Sequence, residues 1–156
     1  MILTFIPPLI GENSLVLDIG CGNKQNTFSP RTTTVDAWDK VKPDFLIDLE
    51  SNDLPFGENT FDHVTLLDFI EHLDKAAGKR VLEQAKKIAR KSVILLTPLF
   101  WDDNSENVEN PSLWSYGNPY DYHKSLWSVE DDFTDWKTVT IEQYRKGPVW
   151  LGVWEK

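Results

Sequence analysis

The stretch from Leu15 to Gly22, Leu-Val-Leu-Asp-Ile-Gly-Cys-Gly, decides the fold. An apolar run that ends in an acid and a pair of glycines is typical of a buried parallel strand followed by a tight turn. Glycine allows the backbone to turn sharply and to come close to a ligand. The sequence therefore predicts a strand over residues 14–19 whose carboxyl end opens onto a binding turn.

Apolar runs of two kinds follow this stretch and predict an alternating α/β chain. An amphipathic helix is expected from Asp74 to Arg90, and Ser128 is expected to cap a short helix that ends at Phe133. The last two strands are separated by a short turn, which predicts an antiparallel pair. The further strands are expected over residues 32–36, 44–48, 61–68, 92–98, 138–144 and 149–154.

Length and charge limit the classes of function. The chain has 156 residues, and we expect one domain over residues 1–156. With 16 Lys and Arg against 25 Asp and Glu, the formal charge is −9, which opposes binding to nucleic acid or to an anionic membrane surface. The apolar amino terminus is shorter than the roughly 20 residues that span a bilayer, so no membrane anchor is expected.

Cysteine and histidine content argues against a scaffold held by disulfides or metal. The one cysteine, Cys21, has no partner in the chain for a disulfide, which fits a reducing, cytoplasmic location. No group of cysteines and histidines has the spacing of metal ligands, so no metal site is expected.

Acidic residues follow several of the predicted strands, at the edge of the sheet where open α/β folds bind ligands. Asp36 ends the second strand, where an acid meets ribose hydroxyls in nucleotide sites. A dinucleotide fingerprint needs a third glycine where this chain has Gln25, and a P-loop needs a Gly-Lys-Ser/Thr ending that is missing. The expected ligand is therefore a nucleoside without a pyrophosphate. As an alternative, the two glycines serve only the steric needs of a turn between buried strands.

The stretch from Leu15 to Gly22 resembles the first motif of class I S-adenosylmethionine-dependent methyltransferases. Leu54-Pro-Phe-Gly-Glu-Asn-Thr-Phe-Asp62 and Leu67-Asp-Phe-Ile-Glu-His-Leu73 are similar to later segments of the small-molecule and glycan branch, the type 11 methyltransferases. The resemblance covers about residues 14–98. It implies an α/β fold with a Rossmann-like, seven-stranded, mostly parallel sheet, a terminal antiparallel pair and fewer amino-terminal helices than is usual in the family.

The resemblance also implies S-adenosyl-L-methionine as the cofactor and a set of residues that contact it. The glycine turn would surround the methionine part, Asp36 would bind the ribose, and Asp48 with Leu49 would flank the adenine. As an alternative, Asp36 and Asp48 are turn or cap acids. The complete expected cofactor set is Asp18, Gly20, Cys21, Gly22, Asp36, Ala37, Asp48, Leu49, Leu67 and Asp68.

The long segment over residues 99–127 lacks a periodic pattern, and we expect it to recognise the acceptor. Within it, His123 is the preferred proton acceptor, with Asp68 and His72 as further catalytic candidates. His63 lies inside a strand and is expected to be structural. Aromatic rings with polar tips suit sugars or flat acceptors, although they also close sheet edges. The expected substrate-binding rings are Trp101, Tyr120, Tyr122 and Trp127.

The expected function is methyl transfer to oxygen or nitrogen of a small-molecule or glycan-type acceptor, by in-line displacement. One alternative is a non-catalytic cofactor-binding or partner-regulating domain, because the usual amino-terminal cover of the substrate is missing. Cover is then expected from the aromatic segment or from a second copy in a homo-oligomer. A nucleic-acid amino methyltransferase is less favoured, because Asp68-Phe-Ile-Glu71 stands where that class has an Asn-Pro-Pro-Tyr type motif.

Overall fold

The computed structural model describes residues 1–25 and 27–156. It contains a seven-stranded sheet with the strand order β3-β2-β1-β4-β5-β7-β6. The five strands from β3 to β5 run parallel, and β7 is antiparallel to both of its neighbours. The strands are β1 (Val16–Ile19), β2 (Thr32–Asp36), β3 (Phe45–Leu46), β4 (Phe61–Leu67), β5 (Ala89–Pro98), β6 (Lys137–Gln143) and β7 (Pro148–Glu155). The predicted α/β sheet with its terminal antiparallel pair is confirmed.

The strand order reverses direction at β1. The chain moves outward from β1 through β2 to β3, then returns to place β4 on the other side of β1. In open α/β sheets such a switch point leaves a crevice at the carboxyl ends of the strands. The crevice therefore lies above the ends of β1, β2 and β4.

The main helix, α2 (Lys75–Ile88), begins at the predicted place: the Asp74 carboxylate accepts a hydrogen bond from the Ala77 amide at 2.8 Å. It ends earlier than predicted, because Ala89 is extended and pairs with Phe61 as the first residue of β5. The other helical segments are α1 (Pro7–Ile10), α3 (Ser105–Val108), α4 (Val129–Asp132) and the 3-10 turns Ile2–Phe5, Asp39–Val41 and Ile70–His72.

The predicted cap of the short helix α4 is wrong. The Ser128 side chain makes no cap hydrogen bond, and its hydroxyl donates to Glu130 instead. The Asp132 carboxylate reaches back to accept the Ser128 amide at 3.0 Å and also binds the Lys75 ammonium. Because α4 is a single turn, Asp132 at its carboxyl end can reach the Ser128 amide at its amino end. The cap is therefore the Asp132 side chain and not the Ser128 side chain.

Both faces of the sheet are covered. Successive residues of β5 point to opposite faces, so Val93 and Leu95 pack under α2, whereas Ile94 and Leu96 pack on the other side. That second side is covered by the amino-terminal residues 2–10, whose Ile2, Ile6 and Ile10 are buried. This short segment closes that face of the sheet. Among the described residues, no helix has the length and apolar character needed to cross a membrane.

Candidate active site

A cavity of about 590 Å³ lies at the carboxyl edge of the parallel strands. Small-molecule and cofactor sites fall in the range of about 300–1,000 Å³. One wall comes from the turns after β1 and β2, and the other from the turn after β4 together with residues 99–127. The cavity therefore brings the predicted cofactor residues and the predicted acceptor segment to one space.

The glycine turn after β1 comes close to both neighbouring strands. Gly20 has φ +73°, and its amide donates to the Val35 carbonyl at 2.8 Å. A Cβ on Gly20 would meet the Phe69 ring at 2.2 Å, and one on Gly22 would meet the Trp114 ring at 2.9 Å. Glycine is thus required here by backbone conformation and by the rings that approach the turn.

The two acids of the cofactor wall already bind backbone amides. Asp36 accepts the Gly22 amide at 3.0 Å through one oxygen and the Trp38 amide at 2.9 Å through the other. Asp48 accepts the Glu50 amide at 3.0 Å. Both acids line the cavity, so each can hold its turn and also face a ligand. Their binding of ribose and adenine stays a prediction.

Asp18 lies beneath the cavity wall, in the sheet interior. Its side chain is buried and accepts a hydrogen bond from the Thr65 hydroxyl at 2.7 Å. Burial raises the pKa of Asp18 to about 6, and Asp36 adds to the rise. The sequence predicts direct cofactor contact for Asp18, whereas the structure leaves Asp18 out of the cavity lining and buries it against Thr65. The other predicted cofactor residues that line the cavity are Gly20, Cys21, Gly22, Ala37, Leu49, Leu67 and Asp68.

The turn after β4 carries acids into the second wall. Asp68 has a left-handed backbone with φ +50°, and it is open to the cavity although protein atoms surround it. This burial raises the pKa of Asp68 to about 6, and the Asp121 charge adds to it. Glu71 is 2% exposed and accepts the Thr97 hydroxyl at 3.1 Å. Burial also raises the pKa of Glu71 well above its usual range, with the Asp68 charge as the next cause.

Two histidines meet in this wall although they are far apart in the sequence. The rings of His72 and His123 lie 4.7 Å apart, edge to face. His72 Nδ1 donates to the Tyr122 carbonyl at 3.3 Å, and His72 Nε2 lies 3.8 Å from an Asp121 oxygen. Burial lowers the pKa of each histidine to about 4, and His72 also lowers that of His123. Both imidazoles are therefore neutral at neutral pH, so each keeps a ring nitrogen with a free lone pair.

Backbone hydrogen bonds attach residues 99–127 to the turn after β4. The amides of Lys124 and Ser125 donate to the Glu71 carbonyl at 2.8 and 3.1 Å. The Asn104 side chain donates to the Asp121 carbonyl at 2.7 Å. These bonds hold the segment across the cavity and bring His123 beside His72.

The predicted aromatic residues divide among three environments. Tyr120 and Trp114 line the cavity. Trp101 and Tyr122 are exposed outside the wall. Trp127 is 2% exposed, and its ring stacks on Phe133 at 5.7 Å. The predicted substrate contact of Trp127 is thus corrected: the end of the segment is a core anchor, because an indole this large fills the space beside α2.

His63, the third histidine, is buried between strands, where its Nδ1 lies 2.8 Å from the Ser92 hydroxyl. Glu71 was not selected from the sequence, although it stands beside His72. The available signal was an acid between apolar residues that the 3-10 turn directs inward, as its burial shows.

Solved structures share the fold at low sequence identity. A 1,6-didemethyltoxoflavin-N1-methyltransferase from Burkholderia thailandensis, with its substrate and S-adenosylhomocysteine bound, is 14% identical, with TM-score 0.61 over 99% of this chain and 76% of that chain. Magnesium protoporphyrin IX methyltransferase from Synechocystis PCC 6803, with S-adenosylhomocysteine, is 14% identical, with TM-score 0.63 over 99% and 80%. An S-adenosylmethionine-dependent methyltransferase from Archaeoglobus fulgidus is 17% identical, with TM-score 0.63 over 98% and 90%. No curated protein matches in sequence.

The cofactor wall fits S-adenosylmethionine. The glycine turn lines the cavity, and the surrounding carboxylates suit a cationic sulfonium. Residues 17–97, more than half of the chain, match the methyltransferase domain family. The chain therefore belongs to the methyltransferase domain family and is an S-adenosylmethionine-dependent methyltransferase.

Proposed function

We propose that the protein transfers a methyl group to a hydroxyl oxygen of a small-molecule or glycan-type acceptor. The observation that carries this proposal is the neutral pair His72 and His123 in the same cavity as the glycine turn. A hydroxyl has to lose a proton as it attacks, whereas an amine can react with less help, so a neutral imidazole favours an oxygen acceptor.

The cofactor side of this proposal uses the first wall. Asp36 binds the ribose hydroxyls, Asp48 and Leu49 flank the adenine, and the turn at Gly20 and Gly22 surrounds the methionine part. The cofactor, when bound, supplies a methyl group activated by a positive sulfur.

The acceptor side supplies orientation and a proton acceptor. The acceptor hydroxyl lies against His72 and His123, and His123 takes its proton on a ring nitrogen. The oxygen forms its bond to the methyl carbon as the carbon–sulfur bond breaks, and the electron pair of that bond stays on sulfur. Holding the two reactants in line supplies most of the acceleration, because the methyl carbon is already activated.

The acceptor class follows from the lining of the second wall. Tyr120 and Trp114 present rings to the cavity, and Trp101 and Tyr122 stand exposed beside it. Such rings suit a flat or sugar-like molecule. Together with the charge of −9, they favour an acceptor without phosphates.

The test compares His123→Ala with His63→Gln. Each purified variant is mixed with S-adenosylmethionine and a metabolite extract, and released S-adenosylhomocysteine is measured. We expect His123→Ala to lose about 10²- to 10⁴-fold in turnover, the usual contribution of a general base, while cofactor affinity by calorimetry stays unchanged. His63→Gln, outside the cavity, should keep both.

Unchanged turnover of His123→Ala would overturn the base assignment. Cofactor binding without any release of S-adenosylhomocysteine from the unmodified protein would favour the non-catalytic binding domain instead.

A further inference from the structure

Three side chains with metal-ligating atoms converge on the acceptor wall. A carboxylate oxygen of Glu71 and one ring nitrogen each of His72 and His123 all lie within 4.8 Å of one another. Sequence spacing predicts no metal, because spacing rules detect ligands that are close in the chain, and His123 comes from a separate segment. Two imidazoles and one carboxylate are the donor set of mononuclear zinc and iron sites.

The hydrogen bond of His72 leaves one ring nitrogen free to be a ligand. Its Nδ1 points at the Tyr122 carbonyl, which can only accept, so Nδ1 carries the hydrogen and the neutral ring keeps its lone pair on Nε2. Metal-binding histidines almost always donate their other N–H to a carbonyl, carboxylate or water in this way. Nε2 faces an Asp121 oxygen at 3.8 Å, which places a second electron-rich atom opposite the lone pair.

Glu71 is the second independent observation. It is 2% exposed, and within residues 1–25 and 27–156 no lysine or arginine lies at ion-pair distance from its carboxylate. The Thr97 hydroxyl donates to one of its oxygens. A buried carboxylate without a counter-charge is costly, and a cation bound beside it removes that cost.

The three ligand atoms have to move inward to hold an ion. With bonds of about 2.1 Å, tetrahedral ligand atoms are about 3.4 Å apart, so atoms at the 4.8 Å limit have to close by about 1.4 Å. Imidazole ligands favour transition metals over magnesium or calcium. Three protein ligands also leave coordination positions open to the cavity.

We propose that Glu71, His72 and His123 bind a divalent transition-metal ion whose open positions hold the oxygen to be methylated and a neighbouring oxygen of the same acceptor. This inference rests on the proposed function for the acceptor, and it narrows the acceptor class to molecules with two adjacent oxygens. With the ion bound, His123 is a ligand and no longer the proton acceptor.

The ion changes how the proton leaves and does not change the transfer itself. Coordination makes the hydroxyl more acidic, and its proton passes to water in the crevice. The oxygen then forms the bond to the methyl carbon, the carbon–sulfur bond breaks, and its electron pair remains on sulfur. The products are the methyl ether and S-adenosylhomocysteine, with no oxidation or reduction.

The test is a titration of chelator-treated protein with Co²⁺ alone, followed by visible absorption. The unmodified protein should bind one equivalent with a saturable d–d band. Loss of a positioning group around a metal usually costs about 10- to 100-fold in affinity, so Glu71→Gln and His123→Ala, which remove ligands, should weaken Co²⁺ binding by at least about 100-fold. His63→Gln removes the histidine outside the cavity and should leave the band unchanged.

Calorimetry with S-adenosylhomocysteine verifies that each variant still folds around the cofactor. A missing band in the unmodified protein would overturn the metal site. So would folded Glu71→Gln and His123→Ala variants that bind Co²⁺ as tightly as the unmodified protein. Full methyl transfer in excess chelator would also overturn the ion's role while keeping the proposed function. Co²⁺ binding in a protein that never releases S-adenosylhomocysteine would keep the metal site and contradict the proposed function.

Discussion

The two walls of the crevice hold their charged groups in different ways. On the cofactor wall, Asp36 and Asp48 accept hydrogen bonds from amides within a few residues or from the adjacent turn. On the acceptor wall, Asp68 and Glu71 lie among other titratable groups. Desolvation raises the pKa of both, the Asp121 charge adds to the rise for Asp68, and the Asp68 charge adds to the rise for Glu71. Hydrogen bonds to a charged carboxylate stabilise it, whereas burial and like charges oppose ionisation.

This difference assigns the two walls different tasks. Acids held by local amides keep their position, which suits the binding of a cationic cofactor. Acids and imidazoles that share a buried space can exchange protons or hold a cation, which suits chemistry at the acceptor. Four predictions test this division, beginning with the largest expected effect.

The first prediction tests whether the acceptor segment is anchored in the core. Trp127→Ala removes a ring that stacks on Phe133 and packs against Gly78. We expect a loss of about 4 kcal/mol in the free energy of unfolding, measured by urea denaturation, because large aromatic truncations in cores cost 3–5 kcal/mol. An unchanged midpoint would mean that residues 99–127 form a separable flap.

The second prediction tests the glycine turn of the cofactor wall. Gly20→Ala combines a left-handed backbone with a Cβ at 2.2 Å from Phe69, so we expect about 3 kcal/mol of destabilisation and weaker cofactor binding. Gly117→Ala has φ +72° and open space around the new methyl, so it should cost only about 1–2 kcal/mol.

Gly57→Ala is the matched control, because its backbone is not left-handed and its new Cβ would lie 3.7 Å from Thr60. Thermal unfolding measures the stability of the three glycine variants, and calorimetry with S-adenosylhomocysteine measures their cofactor binding. Equal effects of Gly20→Ala and Gly57→Ala would contradict the steric account of the turn.

The third prediction concerns Asp18, the buried acid beneath the cofactor wall. The pKa of Asp18 is raised to about 6, so its folded form keeps a proton that the unfolded chain releases, and its contribution to stability falls as pH rises through about 4 to 6. Asp18→Asn, which keeps an acceptor for Thr65, should gain about 3 kcal/mol relative to the unmodified protein between about pH 4 and about pH 8.

Urea denaturation of both proteins across this pH range measures the difference. A difference that stays constant with pH would show that Asp18 has the same pKa in the folded and unfolded states.

The smallest effect on stability is expected at the rim of the acceptor wall. Trp101 is 58% exposed, so Trp101→Ala should change the free energy of unfolding by less than about 0.5 kcal/mol. It should raise the KM for the acceptor without changing cofactor affinity. An unchanged KM would remove Trp101 from acceptor binding.

Local patterns predicted the parts of the fold that local forces build. The apolar run ending at Gly20, the strand that ends at Asp36 and the helix capped by Asp74 all lie where the sequence places them. The errors lie where another part of the chain decides the outcome. Ala89 leaves the helix because β4 pairs with it, and Trp127 leaves the expected site because Phe133 and α2 bury it.

Sequence by itself predicted the family and the seven-stranded sheet, because the motifs that carry the resemblance are short segments of the chain. Only the tertiary structure decided that Glu71, His72 and His123 meet. Their contact depends on a non-periodic segment that is attached by backbone hydrogen bonds to the Glu71 carbonyl, and backbone groups carry no sequence signal. The lowered pKa of both histidines follows from the same burial and was therefore also beyond the reach of the sequence.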